Sequence, residues 1–330
     1  MSQREYEIAV VIPCYKVARH LANVLSRIGP QVTRIYCVID GCPDGSAAVA
    51  MAAQADDSRI QLLNCEVNRG VGYAFAIGCQ QALQDGADVV VKLDGDGQMD
   101  PGEIWRLIIP LTSGKADFAK GNRFFHLGDL KTMPWVRLIG NAGLSFLTKL
   151  SSGYWNLFDP TNGFFAIHST VAREIPWSKV SCGYFFESDL LFHLSIIRAV
   201  AVDIPMAAHY GDERSSLSVS KALLLFPILH LINFCKRLFY CYYLREFNIA
   251  SLNLLLGVLL LGFGIAFGSI HWLHGHQFNR LASAGTVMFA ALPVILGWQA
   301  LLSFLAFDVS NVPKVPFQER VGVRYVGSQR

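Results

Sequence analysis

A short acidic segment carries the most specific chemistry in this sequence. Asp94 and Asp96 lie in the sequence DGDGQ at 94–98, directly after the mostly apolar segment 87–93. Two carboxylates one residue apart form a compact set of oxygen ligands, and Mg²⁺ is commonly held by one or two carboxylates together with substrate phosphates. The segment therefore predicts a site for Mg²⁺ or Mn²⁺, with a solvated Asp-Gly turn as the alternative.

The residues before this segment alternate between strand and helix patterns. Strands are predicted at 7–13, 34–40, 60–65 and 87–94, and helices at 17–28, 47–55 and 71–85. This alternation predicts an α/β domain whose parallel sheet has helices on both faces. Ligands of such sheets bind beyond the carboxyl ends of the strands. Candidate site residues therefore lie at 13–15, 40–44, 68–72 and 94–98.

The C-terminal third holds two long uncharged segments. Residues 247–270 and 281–307 each exceed the roughly 20 residues that span a bilayer core. They predict a transmembrane hairpin; the alternative is two buried helices of a soluble bundle. Lys and Arg are more frequent outside the hairpin than in its link, so we expect both termini and the first domain on the cytoplasmic side of the inner membrane.

Composition narrows the class of protein. Among 330 residues, 16% are charged, 52% are hydrophobic and the net charge is +3. A disordered chain and a nucleic-acid-binding protein are both disfavoured. The eight cysteines have no metal-binding spacing, which favours reduced thiols and a cytosolic environment. The first residues are charged and then strand-like, so we expect no signal peptide.

The expected domain limits follow from these patterns. They are a catalytic domain at 1–212, interfacial helices at 213–246, the transmembrane hairpin at 247–307 and a cytoplasmic tail at 308–330. The uncharged segment 222–235 is too short to span a bilayer. Basic and aromatic residues are mixed in the segment that follows, which is typical of helices lying in the headgroup layer. A helix packed on the soluble domain is the alternative.

Eight short motifs occur in the order found in a known family. They are Ile12-Pro13-x-Tyr15, Asp40-Gly41-x-x-Asp44, Asn68-x-Gly70-x-Gly72, the segment 93–101, Gly121-Asn122-Arg123, Arg137-x-x-Gly140-Asn141, Asp159-x-Thr161-Asn162-Gly163 and Phe186-Glu187-x-Asp189. In this order they resemble family 2 glycosyltransferases with the GT-A fold, and within that family the polyprenyl-phosphate glycosyltransferases of the dolichol-phosphate mannose synthase branch. The resemblance covers about residues 15–215 and the two-span tail.

The resemblance implies roles for individual residues. It implies a divalent cation on Asp94 and Asp96. Donor contacts are expected from Pro13, Tyr15, Asp40, Asp44, Asn68, Gly70, Asp94, Gly95, Asp96 and Arg214. Acceptor contacts are expected from Gln98, Arg123, Arg137, Asn141, Asp159, Glu187 and Asp189, and the catalytic set is Asp94, Asp96, Gln98, Arg123 and Arg137. Because residues two apart do not share a helix face, we expect one of Glu187 and Asp189 to face the sugar and the other to be structural.

These motifs predict a membrane-anchored, inverting glycosyltransferase. Its donor would be a nucleoside-diphosphate sugar, with UDP mildly preferred, and its acceptor a polyprenyl phosphate at the cytoplasmic leaflet. A lipid phosphate is already ionised at neutral pH, whereas a sugar hydroxyl needs a general base. Arginine forks such as those of Arg123 and Arg137 suit phosphate oxygens.

Two other functions stay open. The first is transfer to a sugar hydroxyl of a lipid-linked glycan or polysaccharide, with Asp189 as the base. The second is an inactive membrane scaffold, which the departures from the family pattern at Lys16, Val17 and Ile39 would allow. A homo-oligomer packed through the hairpin glycines is also left open.

Overall fold

The computed structural model describes residues 6–124, 135–206 and 219–321, without the side chains of 136–138 and 219–224. The chain forms two compact units, of which the first comprises Met1–Phe234 with Pro313–Arg330 and the second comprises Cys235–Val312. Among the expected site residues, Arg214 and the side chain of Arg137 lie outside the described part.

The described part of the first unit is an α/β domain. Its strands are β1 (Ile8–Cys14), β2 (Arg34–Asp40), β3 (Ile60–Cys65), β4 (Val89–Lys92), β5 (Phe118–Asn122), β6 (Phe165–His168) and β7 (Ala201–Pro205). Its helices are α1 (Ala18–Ser26), α2 (Ser46–Asp56), α3 (Val71–Gln84), α4 (Ile104–Thr112), α5 (Trp135–Ser152), α6 (Ser169–Ala172), α7 (Phe186–Ile196) and most of α8 (Val219–Phe239). The four strands and three helices expected before residue 94 are confirmed, with ends that differ by no more than two residues.

The seven described strands form one mostly parallel sheet in the order β3-β2-β1-β4-β6-β5-β7. Strand β6 alone runs against the others, because it pairs antiparallel with both β4 and β5. Strand β1 is almost fully buried, as expected of a sheet covered on both faces. The chain moves from β1 to β2 and later returns to β4 on the other side of β1. Sheets with such a reversal commonly bind ligands beyond the carboxyl ends of these strands.

One row of side chains across the sheet contains two lysines. Phe165 of β6 is directly opposite Lys92 of β4 on one side and Lys120 of β5 on the other. Residues opposite one another in a sheet share a face. The ring centroid of Phe165 lies 5.1 Å from that of Phe75 and 6.2 Å from that of Phe186. The two lysines therefore emerge beneath α3 and α7, and both are buried.

The segment after the hairpin rejoins the first unit. The backbone N–H groups of Phe317 and Gln318 donate to the carboxylate of Asp117, at 2.7 and 3.0 Å. Asp117 is fully buried and also accepts from the backbone N–H of Val200. The side-chain amide of Gln318 donates to the carbonyl oxygens of Leu111 and Ala116. This part of the expected tail is thus fixed on the α/β domain.

The second unit is a helical hairpin. Its two long helices are α9 (Ile249–Gln277) and α10 (Ala284–Ser310), and a π-helical turn, Tyr240–Arg245, precedes α9. Both helices are long and apolar enough to cross a membrane, and only 22% and 11% of their most apolar stretches are buried. Helix α9 extends through most of the expected link at 271–280.

Close packing and a buried ion pair hold this hairpin together. A Cβ atom on Gly297 would lie 2.8 Å from the backbone nitrogen of Leu261 and 3.0 Å from the carbonyl oxygen of Gly257, so the two backbones approach closely here. At the base of α10, Asp308 accepts two hydrogen bonds from Arg237 and one from the hydroxyl of Tyr242. All three side chains are buried.

Candidate active site

The end of β4 brings a buried lysine to the acidic segment. The ammonium group of Lys92 lies 2.6 Å from Asp94 Oδ1 and 3.5 Å from Glu187 Oε1. Burial alone would lower the pKa of Lys92, but the two carboxylates outweigh burial and raise it above its ordinary value. Lys92 therefore carries a positive charge at neutral pH. The expected site residues Asp94 and Glu187, far apart in sequence, meet at this charge.

The loop before β6 lies against Lys92, Asp94 and Glu187 at Gly163. A Cβ atom at Gly163 would lie 2.5 Å from Lys92 Nζ, 2.7 Å from Asp94 Oδ2 and 3.4 Å from Glu187 Oε1. A side chain here would displace the charged groups, so the close approach of this loop requires glycine. We name the group formed by Lys92, Asp94 and Glu187 the lysine–acid cluster.

Asp96 and Gln98 lie in the turn that follows. Both are half-buried, and the backbone N–H of Gln98 donates to Asp96 Oδ1 at 3.0 Å. Gly97 takes a left-handed conformation with φ of 78°, which glycine adopts without strain. A Cβ atom at Gly95 would come within 3.1 Å of Val17 on the neighbouring segment. The two glycines thus allow the tight turn that presents both aspartates.

The same loop before β6 fixes a guanidinium group. Arg123 donates through Nε to Asp159 Oδ2 at 2.8 Å and through Nη2 to Asp159 Oδ1 at 3.0 Å. A further bond of 3.2 Å joins Nη2 to the hydroxyl of Thr161. Asp159 is fully buried, while the side chain of Arg123 keeps 27% of its surface exposed. This bidentate pair holds the guanidinium in one orientation.

Lys120 contacts the loop that carries both Asp159 and Gly163. Its ammonium group donates to the backbone carbonyl of Asn162. Burial lowers the pKa of Lys120 to about 8, although Glu187, Asp159 and Asp203 each act to raise it. The loop before β6 is thus held by one buried lysine, between the residue that orients Arg123 and the glycine next to the lysine–acid cluster.

The two acidic residues on α7 face different surroundings. Asp189 is buried, accepts a hydrogen bond of 2.7 Å from the backbone N–H of Ser181, and accepts another of 2.7 Å from the amide of Asn233. Glu187 faces Lys92. Of the pair, Asp189 therefore ties α7 to α8 and to the preceding loop, and Glu187 faces the cluster.

Most residues expected to bind the donor nucleotide lie at or just after the ends of β1, β2 and β3. Tyr15 and Asn68 are exposed, and Pro13 is half-buried. Asp40 is buried and accepts from the backbone N–H groups of Arg69 and Gly70, so it fixes the turn that leads into α3. Its contact with a nucleotide stays a prediction.

Asp44 and Gly70 shape the same end of the sheet. Burial acts to raise the pKa of Asp44, but hydrogen bonds from Cys42, Ser46 and the backbone of Ala18 hold it at about 2. Gly70 has a φ of 100°, and a Cβ atom there would lie 2.5 Å from the carbonyl oxygen of Cys182. Both residues thus keep loops at this edge in place.

The acidic segment fits a cation that is held partly by the protein and partly by a substrate. Across residues 6–124, 135–206 and 219–321, no three His, Cys, Asp or Glu side chains are grouped so that they alone could hold a metal ion. Asp94 and Asp96 supply hard carboxylate oxygens, the donor type that Mg²⁺ and Mn²⁺ prefer, and substrate phosphates complete such sites. The donor set is therefore compatible with the expected metal.

The sequence analysis did not identify Lys92 or Lys120, and it included Gly163 in a motif without giving it a role. The first two carry a usable signal, because a lysine inside a short apolar strand is rarely buried without a paired charge. The importance of Gly163 depends on how closely its loop approaches β4, which no local pattern reveals. Asn141 lies half-buried on α5, four residues after Arg137 and on the same helix face.

The sequence is similar to those of known proteins. Residues 9–175 match the family model described as Glycosyl transferase family 2. The polyprenol monophosphomannose synthase of Mycolicibacterium smegmatis is 32% identical over 202 residues, which cover 60% of this chain and 75% of the relative. The UDP-N-acetylglucosamine–dolichyl-phosphate N-acetylglucosaminyltransferase of Methanococcus voltae is 29% identical over 181 residues, which cover 51% of this chain and 72% of the relative.

A solved structure supports the fold. The glucosyl-3-phosphoglycerate synthase of Mycobacterium tuberculosis, crystallised with Mn²⁺, UDP and glucosyl-3-phosphoglycerate, superposes with a TM-score of 0.53 at 17% identity. The match covers 70% of this chain and 80% of that one. The expected GT-A architecture is confirmed by this likeness.

Proposed function

Because the chain belongs to glycosyl transferase family 2, we propose that it transfers a hexose-like sugar from a nucleoside diphosphate to the phosphate of a polyprenyl lipid. The observation that carries this proposal is the state of the acidic side chains on α7. Asp189 is engaged through both carboxylate oxygens, and Glu187 faces the ammonium group of Lys92. Neither is arranged as a general base, so the site suits an acceptor that is already ionised.

A lipid phosphate is such an acceptor. Its oxygen attacks the anomeric carbon, the bond from that carbon to the diphosphate breaks, and the nucleoside diphosphate leaves in a single displacement with inversion. Arg123, oriented by Asp159, is suited to hold the acceptor phosphate. The two relatives support the same acceptor class, because their names share a polyprenyl or dolichyl phosphate but differ in the sugar.

Asp94 and Asp96 would hold Mg²⁺ or Mn²⁺ beside the donor diphosphate. When bound, such a cation acts as a Lewis acid on the leaving phosphate oxygens. Gly95 and Gly97 allow the tight turn after β4 that carries both aspartates. We favour UDP as the nucleotide, in line with the names of the Methanococcus voltae relative and the Mycobacterium tuberculosis structure.

The hairpin would place this reaction at a membrane. Helices α9 and α10 have the length and composition of membrane spans and bury few of their apolar residues. Residues after α10 rejoin the first unit through Asp117, so two crossings return the chain to the side from which it left. Together with the distribution of Lys and Arg, this return supports an active site on the cytoplasmic side of the inner membrane.

Labelled sugar transfer tests the proposal. Membranes containing the full chain are incubated with polyprenyl phosphate, Mn²⁺ and a panel of labelled nucleotide sugars. We expect one labelled glycolipid, which Asp96→Asn abolishes and Asp56→Asn, an exposed change on α2, leaves intact. No labelled lipid with any donor in the panel would contradict the proposal.

A further inference from the structure

Lys92 occupies a position where a charge is costly. It ends a strand whose other members are valines, and its side chain is only 1% exposed. Moving an ammonium group out of water costs several kcal/mol unless it is paired and hydrogen-bonded. A valine or leucine at this place would pack against the neighbouring Phe165 without that cost. The groups that the ammonium group contacts therefore indicate why a lysine is present here.

Those partners are both acids of the active site. Lys92 Nζ lies 2.6 Å from Asp94 Oδ1 and 3.5 Å from Glu187 Oε1. The second oxygen of Asp94 faces Gly163, where the lack of a side chain leaves room for it. Lys92 thus engages one oxygen of Asp94 and fixes the direction of the other.

The local charge leads to the same conclusion. Asp94 and Glu187 both face Lys92, and Asp96 follows Asp94 by two residues. Lys92 offsets one of these three negative charges. The remaining two match one divalent cation. Without the ammonium group, the acids would repel one another, and Asp94 could turn both oxygens toward a cation.

We propose that Lys92 is a positioning residue that holds Asp94 by one carboxylate oxygen and limits the negative charge available to the metal. This inference rests on the metal site of the proposed function. It makes a specific prediction: loss of the ammonium group strengthens metal binding while it slows transfer, because the carboxylate gains charge but loses its fixed orientation. Ordinary structural damage would weaken both.

The test compares Lys92→Met with the wild type in the full-length protein. Mn²⁺ affinity is measured in the presence of UDP by electron paramagnetic resonance, and kcat and KM by labelled sugar transfer. We expect Lys92→Met to bind Mn²⁺ about tenfold more tightly, since a unit charge a few ångströms away is removed from a half-buried site. We expect its kcat to fall at least about tenfold. Lys115→Met, which removes an exposed charge elsewhere, serves as the matched control.

A second variant separates charge from folding. Adding Glu187→Gln to Lys92→Met restores the net charge of the site and removes the half-buried acid that has lost its lysine partner. The double variant should return Mn²⁺ affinity to within about threefold of the wild type, with kcat still low because Asp94 is no longer held. Thermal unfolding shows whether each variant is folded.

The outcomes are distinct. Mn²⁺ binding by folded Lys92→Met that is unchanged or weaker would overturn the inference, as would an unchanged kcat. If the wild-type protein showed no Mn²⁺ binding that is lost in Asp96→Asn, both this inference and the proposed metal site would be overturned. If the variants bound Mn²⁺ with the predicted affinities but the wild type formed no labelled glycolipid, only the proposed acceptor would be refuted.

Discussion

Replacing Gly163 by alanine would place a methyl group inside the lysine–acid cluster. The new Cβ would lie 2.7 Å from Asp94 Oδ2 and 2.5 Å from Lys92 Nζ, whereas an ordinary contact begins at 3.4 Å. The carboxylate oxygen must therefore retreat by about 0.7 Å, from 2.7 to 3.4 Å, and the ammonium group by somewhat more. A misplacement of about 1 Å at a reacting centre costs on the order of 10²-fold in rate.

We expect Gly163→Ala to reduce kcat by about 30- to 100-fold. Overpacking of this kind also costs about 1–3 kcal/mol of stability. The assay is steady-state transfer of labelled sugar by the full-length protein, with thermal unfolding measured alongside. Gly183→Ala is the matched control, because a Cβ atom there meets no atom within 4 Å. A folded Gly163→Ala variant with a kcat within twofold of Gly183→Ala would refute the assigned role of the cluster.

Three further changes test other parts of the structure. Arg123→Ala removes the guanidinium group from the buried Asp159 carboxylate, which keeps, among the described residues, only the backbone N–H of residue 123 and the hydroxyl of Thr161 as hydrogen-bond donors, so it should cost about 3 kcal/mol of stability. It should also raise KM for the lipid phosphate more than KM for the donor, and equal changes in both KM values would contradict the role given to the arginine. Burial lowers the pKa of His230 from its ordinary value of 6.5 to about 4, so its neutral form contributes stability above pH 6.5 that is lost as the pH falls toward 4. His230→Gln should therefore flatten the acid dependence of the melting temperature between pH 6.5 and 4, and an unchanged profile would contradict this. In the hairpin, Gly297→Leu should destabilise α9–α10 packing by about 1–3 kcal/mol in detergent, while Gly262→Leu, where a Cβ atom meets open space, should not; equal effects of the two would refute the close backbone packing.

The first half of the sheet could be predicted from sequence because its mostly apolar strands alternate with segments of helix pattern. Strands β5 and β7 are harder to recognise, since each has a charged residue at its centre, Lys120 and Asp203. Burial of those charges is decided by neighbours from distant parts of the chain. The periodicity of an isolated segment contains no information about such partners.

The site divides in the same way. Asp94 and Asp96 were recognisable because their chemistry is local, with two carboxylates in one turn. The different surroundings of Glu187 and Asp189 depend on Lys92 and on Asn233, which lie 95 and 44 residues away. Spacing along a helix could predict that the two acids face different directions, but not which one faces the active site.

Docking of the C-terminal segment was also beyond sequence reasoning. The residues at 313–321 have no helix or strand periodicity that indicates a partner. Their fixed position depends on the buried carboxylate of Asp117, two hundred residues earlier, which accepts from Phe317 and Gln318. A charged side chain that organises backbone N–H groups leaves no pattern in a single sequence.

The central claim is that the sugar passes to an acceptor that is already ionised, in a site without a general base on α7. Competition between polyprenyl phosphate and a polyprenol of the same chain length, in one reaction with the preferred labelled donor, tests this claim most directly. Label should enter only the phosphate-bearing lipid, and folded Asp189→Asn should still transfer the sugar. Comparable labelling of the polyprenol, lost in Asp189→Asn, would contradict the claim.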